Sequence, residues 1–133
     1  MKRRAINPQH MYKTLHFGFS HAVEQNSGRT LHLAGQVAWN DAGELVGPGD
    51  LKAQARQALA NLKAVLAEMG GTTADVVRLR TYVVNHSPDK LEPVTEEILA
   101  FYGGVDPAAN TWIGVQSLAL PEFLIEIEAT AAL

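Results

Sequence analysis

Between residues 51 and 69 the side chains Ala55, Ala58, Leu59, Leu62, Leu66 and Met69 recur every three or four positions. That period predicts an amphipathic helix with a single apolar stripe. Asp50 is placed to cap its amino end and Gly70-Gly71 to close it. A second stripe, Leu91, Val94, Ile98, Leu99 and Tyr102, predicts another helix. Ser87-Pro88-Asp89 opens it and Gly103-Gly104 stops it. Pro93 requires that the true start fall a residue or two after Asp89, so that the proline lies in the first turn. Each stripe must be buried, and neither helix is apolar enough to form a core alone.

The remaining patterned segments have period two, the mark of strands. From Leu15 the residues Phe17, Phe19, His21 and Val23 share one parity. Asn26-Ser27-Gly28 is turn chemistry leading to a second run, Thr30 to Trp39, so a hairpin is expected. Gly35 interrupts that run, which suggests a bulge or a close approach of another group. Glu44-Leu45-Val46 is a short returning strand, and Val76 to Val84, Thr111 to Leu118 and Leu124 to Ala131 are three more. In the last, Phe123, Ile125, Ile127 and Ala129 share one face, and Leu124, Glu126, Glu128 and Thr130 the other. Helices at two points in a run of strands predict an α+β two-layer sandwich, one mostly antiparallel sheet with both helices on one face. The other sheet face then has no cover. It carries Tyr82, Val84 and Leu124, which favours self-association.

The 133 residues suit a single domain over 1–133, with 1–11 as a loose lead-in. Cysteine is absent, which removes disulfide scaffolds, thiolate nucleophiles and Cys-ligated zinc. No apolar run approaches the ~20 residues of a membrane span. Met1-Lys2-Arg3-Arg4 is not followed by the apolar stretch of a signal peptide, so a cytoplasmic protein is expected. The net charge of −3, with Lys2-Arg3-Arg4 as the one basic run, disfavours nucleic acid as a partner.

Most familiar chemistries find no pattern. His16 and His21 have opposite strand parity, which argues against a shared metal, and neither metal nor cofactor is expected. No Gly-x-Ser-x-Gly elbow and no phosphate loop occurs. Glu126 and Glu128, two apart on a strand, leave one face together. Near apolar groups such a carboxylate can act as a general base or acid toward water. A solvated face, or ion pairing with Arg78 and Arg80, is the plainer alternative.

Five segments in order resemble the Rid family (RidA/YjgF, also called the L-PSP endoribonuclease family). They are Ala34-Gly35-Gln36; the helix pattern Gln54 to Leu62; Gly70; Asp75-Val76-Val77-Arg78; and Ile125-Glu126-Ile127-Glu128-Ala129. The resemblance runs from about Phe17 to Ala131. It implies a chorismate-mutase-like fold and a homotrimer with clefts between subunits. It also implies a small-molecule ligand, and in many members hydrolysis of reactive imines such as 2-iminopropanoate and 2-iminobutanoate. Carried over by position, the resemblance makes Glu126 the catalytic, water-handling carboxylate. It places Phe19, Gly35 and Thr95 in the substrate site. The segment Ala109-Asn110-Thr111-Trp112 stands where deaminase members carry an Arg that grips the substrate carboxylate, and no Arg follows Arg80. Losing such a charge-assisted pair costs about 2–4 kcal/mol. The expected function is therefore hydrolysis of an imine, enamine or related C–N bond, without efficient action on 2-iminopropanoate or 2-iminobutanoate. A non-catalytic small-molecule binder is the alternative. Phe19, Trp39, Thr111 and Trp112 suit a neutral aromatic or amide-bearing ligand. Arg78 and Arg80 are the candidates to supply a compensating cation.

Overall fold

The computed structural model describes residues 2–26 and 28–133. The strands are β1 (Arg3–Ile6), β2 (Ala22–Gln25), β3 (Thr30–Gln36), β4 (Val76–Val84), β5 (Ala109–Val115) and β6 (Ile125–Ala132). The helices are α1 (Leu51–Glu68) and α2 (Leu91–Tyr102). Four strands form a mixed sheet in the order β3-β6-β4-β5, in which only β4 and β5 run parallel. Strands β1 and β2 form a separate antiparallel pair. Both helices pack on one face of the larger sheet, as the stripes require. Leu59, Leu62 and Leu66 of α1 and Val94, Ile98 and Tyr102 of α2 share a core with Leu79, Val83, Ile125 and Ile127.

The helix boundaries follow the sequence closely. The Asp50 side chain accepts from the Ala53 N–H at 3.0 Å. Gly70, with φ +78°, turns the chain out of α1. A short 3-10 turn, Pro88–Lys90, precedes α2, and Pro93 is its third residue, where no N–H partner is lost. Between the helices, Arg56 and Lys52 both bond Glu97, at 2.9 and 3.0 Å. The Arg56 hydrogen bond, the larger cause, holds the Glu97 carboxyl below its usual range despite partial burial.

Three expectations need correction. Residues 1–11 are not all loose: β1 pairs with β2, and Arg3 is buried. Its guanidinium donates to the carbonyls of Ala74 and Asp106, both at 2.5 Å, so the charge is held by backbone acceptors. The alternation from Leu15 is not a long strand. Leu15–Phe17 is a 3-10 turn ended by Gly18 at φ +86°, and only Ala22–Gln25 is extended. The expected hairpin does not form either. β2 takes β1 as its partner, while β3 buries Leu33 by pairing with β6. The turn assigned to Asn26-Ser27-Gly28 includes Ser27, which lies outside the described residues.

The smaller differences have local causes. The run to Trp39 ends at Gln36, and the short return at Glu44–Val46 is a single bridge, Leu45 to Trp39. A register shift near Val76 lets Val76 and Leu79 both face the core. Among the described residues no helix is long and apolar enough to cross a membrane.

Gln54 is fully buried on α1 and ties two loops to it. Its amide nitrogen donates to the carbonyls of Gly47 and Glu122, each at 3.1 Å, and its oxygen accepts from the Leu124 N–H at 2.9 Å. Gln54→Leu leaves three partly buried backbone groups without this partner. The expected loss is about 1–3 kcal/mol, read as a lower urea midpoint at unchanged slope.

Candidate functional site

The pleat of β6 separates two chemical faces. Ile125, Ile127, Ala129 and Ala131 are buried toward the helices, while Glu126, Glu128 and Thr130 are half-buried on the open face. On β4 the open face carries Arg78, Arg80 and Tyr82, with Arg80 opposite Glu128 and Tyr82 opposite Glu126.

The two carboxylates differ in their engagement. Glu128 accepts the Tyr82 hydroxyl and lies 3.7 Å from the Arg80 guanidinium. That bond to Glu128, followed by burial and the charge of Glu128, pushes the Tyr82 hydroxyl above its usual range. Glu126 makes no hydrogen bond or ion pair among the described residues. The ion-pair alternative therefore applies to Glu128, and Arg80 is already committed to it. Among the described residues Arg78 reaches only the Thr111 hydroxyl, at 3.5 Å.

Gly35 explains where Glu126 rests. Strand β3 gains one residue relative to β6 between Leu33 and Gln36, a bulge that brings the Gly35 backbone against Glu126. A Cβ at Gly35 would stand 2.3 Å from Glu126 Oε2 and 2.8 Å from Cδ. This is the close approach that a glycine inside a strand pattern signalled.

The other expected ligand residues lie mostly on the helix side. Phe19, Thr95, Asn110 and Trp112 line a groove of about 590 Å³ with His16, Phe17, Leu91, Glu92, Glu96 and Leu99. Gly18 shapes one wall. Its left-handed backbone turns Phe17 and Phe19 around α2, and a Cβ there would meet Ile98 Cγ2 at 3.2 Å. The buried Thr81 hydroxyl donates to Asn110 Oδ1 at 3.1 Å, which orients that amide. Trp112 donates from Nε1 to His86 Nδ1 at 3.2 Å, leaving the indole as an apolar wall. Gly114 leaves room for this histidine, since a Cβ would come within 2.9 Å of His86 Cβ.

Within one chain the expected site is thus divided. Glu126, Gly35, Arg78, Arg80 and Thr111 belong to the open face. Ala109 starts β5 opposite Arg78. Trp39 lines neither region: it stacks edge-on against Phe123, ring centres 5.3 Å apart, and its carbonyl accepts from Asn61 at 2.9 Å. The sequence reading missed Leu91 and Leu99 as groove residues by assigning them to the core stripe. Their spacing with Thr95, four and four, was the available signal of a second face on α2.

The contact between Gly35 and Glu126 is directly testable. The φ of Gly35 is not in the left-handed region, so Gly35→Ala is expected to fold. Its crystal structure is expected to show the Glu126 carboxylate displaced by about 1 Å or more, since carbon centres cannot approach much inside ~3.5 Å.

The model of the family described as Endoribonuclease L-PSP matches residues 13–133. A solved structure of YyfB, a conserved Rid-family protein of unknown function from Yersinia pestis, is 70% identical over the whole of both chains, with a TM-score of 0.98. Protein DfrA of Myxococcus xanthus is 33% identical over 132 residues, covering 98% of this chain and 96% of DfrA. A 2-iminobutanoate/2-iminopropanoate deaminase of Dermatophagoides farinae is 29% identical over 100 residues, 75% of this chain and 74% of that protein. The α+β architecture and the match across nearly the whole chain lead to one conclusion: the chain belongs to the endoribonuclease L-PSP family, also known as the Rid or YjgF family.

Proposed function

We propose that this protein is a cytoplasmic homotrimer that hydrolyses an imine, enamine or related C–N bond in clefts between its subunits. The observation that carries the reading is the contrast between the two carboxylates. Glu128 is occupied by Tyr82 and Arg80, whereas Glu126, beside it on the strand, has no such partner among the described residues. An unpaired, half-buried carboxylate is suited to hold and deprotonate a water molecule. The deaminase relative supports the class of reaction.

In the proposed step, Glu126 takes a proton as water oxygen bonds to the imine carbon. The C=N π electrons move to nitrogen, which takes that proton from Glu126 to give the carbinolamine. Glu126 then takes the carbinolamine hydroxyl proton and passes it to nitrogen as the C–N bond breaks, so that the carbonyl forms and ammonia leaves. In this reading, backbone N–H groups near Asn110 and Thr111 polarise the substrate. Because the groove and Glu126 lie on opposite sides of one sheet, a complete cleft takes the groove of one subunit and Glu126 of the next. The uncovered sheet face is the surface available for that assembly.

The preferred substrate differs from the small 2-imino acids. Among the described residues no Arg or Lys lines the groove, which leaves no guanidinium there to grip a carboxylate, and Asn110 is an uncharged lining residue. The same aromatic groove supports simple ligand binding as the alternative. RNA is disfavoured because the basic triplet is used internally: Lys2 pairs with Asp75, Arg4 with Glu24, and Arg3 is buried.

Benzaldimine, made from benzylamine by an amine oxidase, is the carboxylate-free test substrate. The wild type is expected to speed benzaldehyde release, and Glu126→Gln to reduce that acceleration about 100-fold or more. Unchanged activity in Glu126→Gln would refute the assignment. Asn110→Arg is expected to raise turnover of 2-iminopropanoate about tenfold or more. Mixing Glu126→Gln chains with Phe19→Ala chains is expected to recover part of the activity, because some clefts then collect two intact halves. Failure of that recovery would place the whole site within one chain.

A further inference from the structure

We propose that the groove beside α2 selects an organic cation, an ammonium or iminium group on an aromatic or branched apolar body. This names a substrate class for the site proposed above and rests on reading the groove as its ligand half. Three aromatic rings, Phe17, Phe19 and Trp112, line one groove. Aromatic faces attract cations through the ring quadrupole, and several rings around one space recognise substituted ammonium groups.

The charges around the groove point the same way. Its charged lining groups are Glu92 and Glu96, with His16 as a further titratable side chain, stacked against Phe17 at 4.0 Å. Glu96 is paired with Lys52 at 2.6 Å, and Lys52 also reaches Glu97, which Arg56 holds. That four-residue cluster balances its own charge. Glu92 is left as the surplus negative group at the rim, with no ion pair among the described residues. Within one chain, a carboxylate ligand would meet Glu92 and find no Arg or Lys among the described residues that line the groove. An ammonium ligand would meet both the rings and the carboxylate.

Benzyltrimethylammonium and phenylacetate carry the same ring with opposite charges and cannot be hydrolysed at a C=N bond. Calorimetric titration of the full chain with each, in one buffer at one pH, reads the preference directly. The cation is expected to bind about tenfold or more tighter than the anion. Glu92→Gln and Phe17→Ala, both at exposed positions, are each expected to weaken cation binding about threefold to tenfold. Equal or tighter binding of phenylacetate overturns the proposal. So does cation affinity indifferent to both substitutions, or absence of cation binding up to millimolar concentration. Benzaldimine hydrolysis is scored separately. Cation binding without hydrolysis would sink the hydrolytic reading alone, and Glu126-dependent hydrolysis with anion preference would sink this inference alone.

Discussion

The structure depends on the burial asymmetry of β6. Flanked by β3 and β4, it sends Ile125, Ile127, Ala129 and Ala131 into the core and Glu126, Glu128 and Thr130 to the opposite side. The apolar residues cannot be exposed without losing about 1.5–3 kcal/mol for each large side chain. The carboxylates cannot enter the core without a steep desolvation cost. A one-residue slip would make both errors at every position. Register is therefore strongly specified, and with it the position of the carboxylates.

That asymmetry turns two chemically identical residues into different tools. Tyr82 and Arg80 reach Glu128 because β4 places Arg80 opposite it. Glu126 instead lies against the backbone of a β3 bulge, where the missing side chain of Gly35 leaves room for it. One carboxylate is held within a network of hydrogen bond and charge, and its neighbour retains open acceptor sites. The difference comes from cross-strand neighbours alone.

The groove on the helix side is assembled from pieces distant in the chain. Gly18 orients Phe17 and Phe19, α2 supplies Glu92 and Thr95, and β5 supplies Asn110 and Trp112. Thr81 and His86 hold the last two by single hydrogen bonds. Its walls are aromatic and its charged side chains acidic, apart from the titratable His16. Membership in the family accounts for the architecture, while these particular side chains set the chemistry of the groove.

Much of this was legible in sequence. The stripe from Ala55 to Leu66, the Asp50 cap and the alternation of β6 are local signals whose spacing directly reflects helical or strand geometry. The interruption at Gly35 announced a bulge or close approach, although not which side chain would occupy the space. Other features had no local signature. Phe17 and Phe19 alternate like strand residues, yet a left-handed glycine between them produces the spacing. Arg3 reads as a solvated charge until Ala74 and Asp106 bring their carbonyls to it from across the fold. Residue spacing along a chain therefore determined the helices, the faces of β6 and the absence of a late arginine. Only tertiary structure decided which carboxylate is engaged and that groove and Glu126 lie on opposite sides of a sheet, because those facts depend on strand neighbours far apart in sequence.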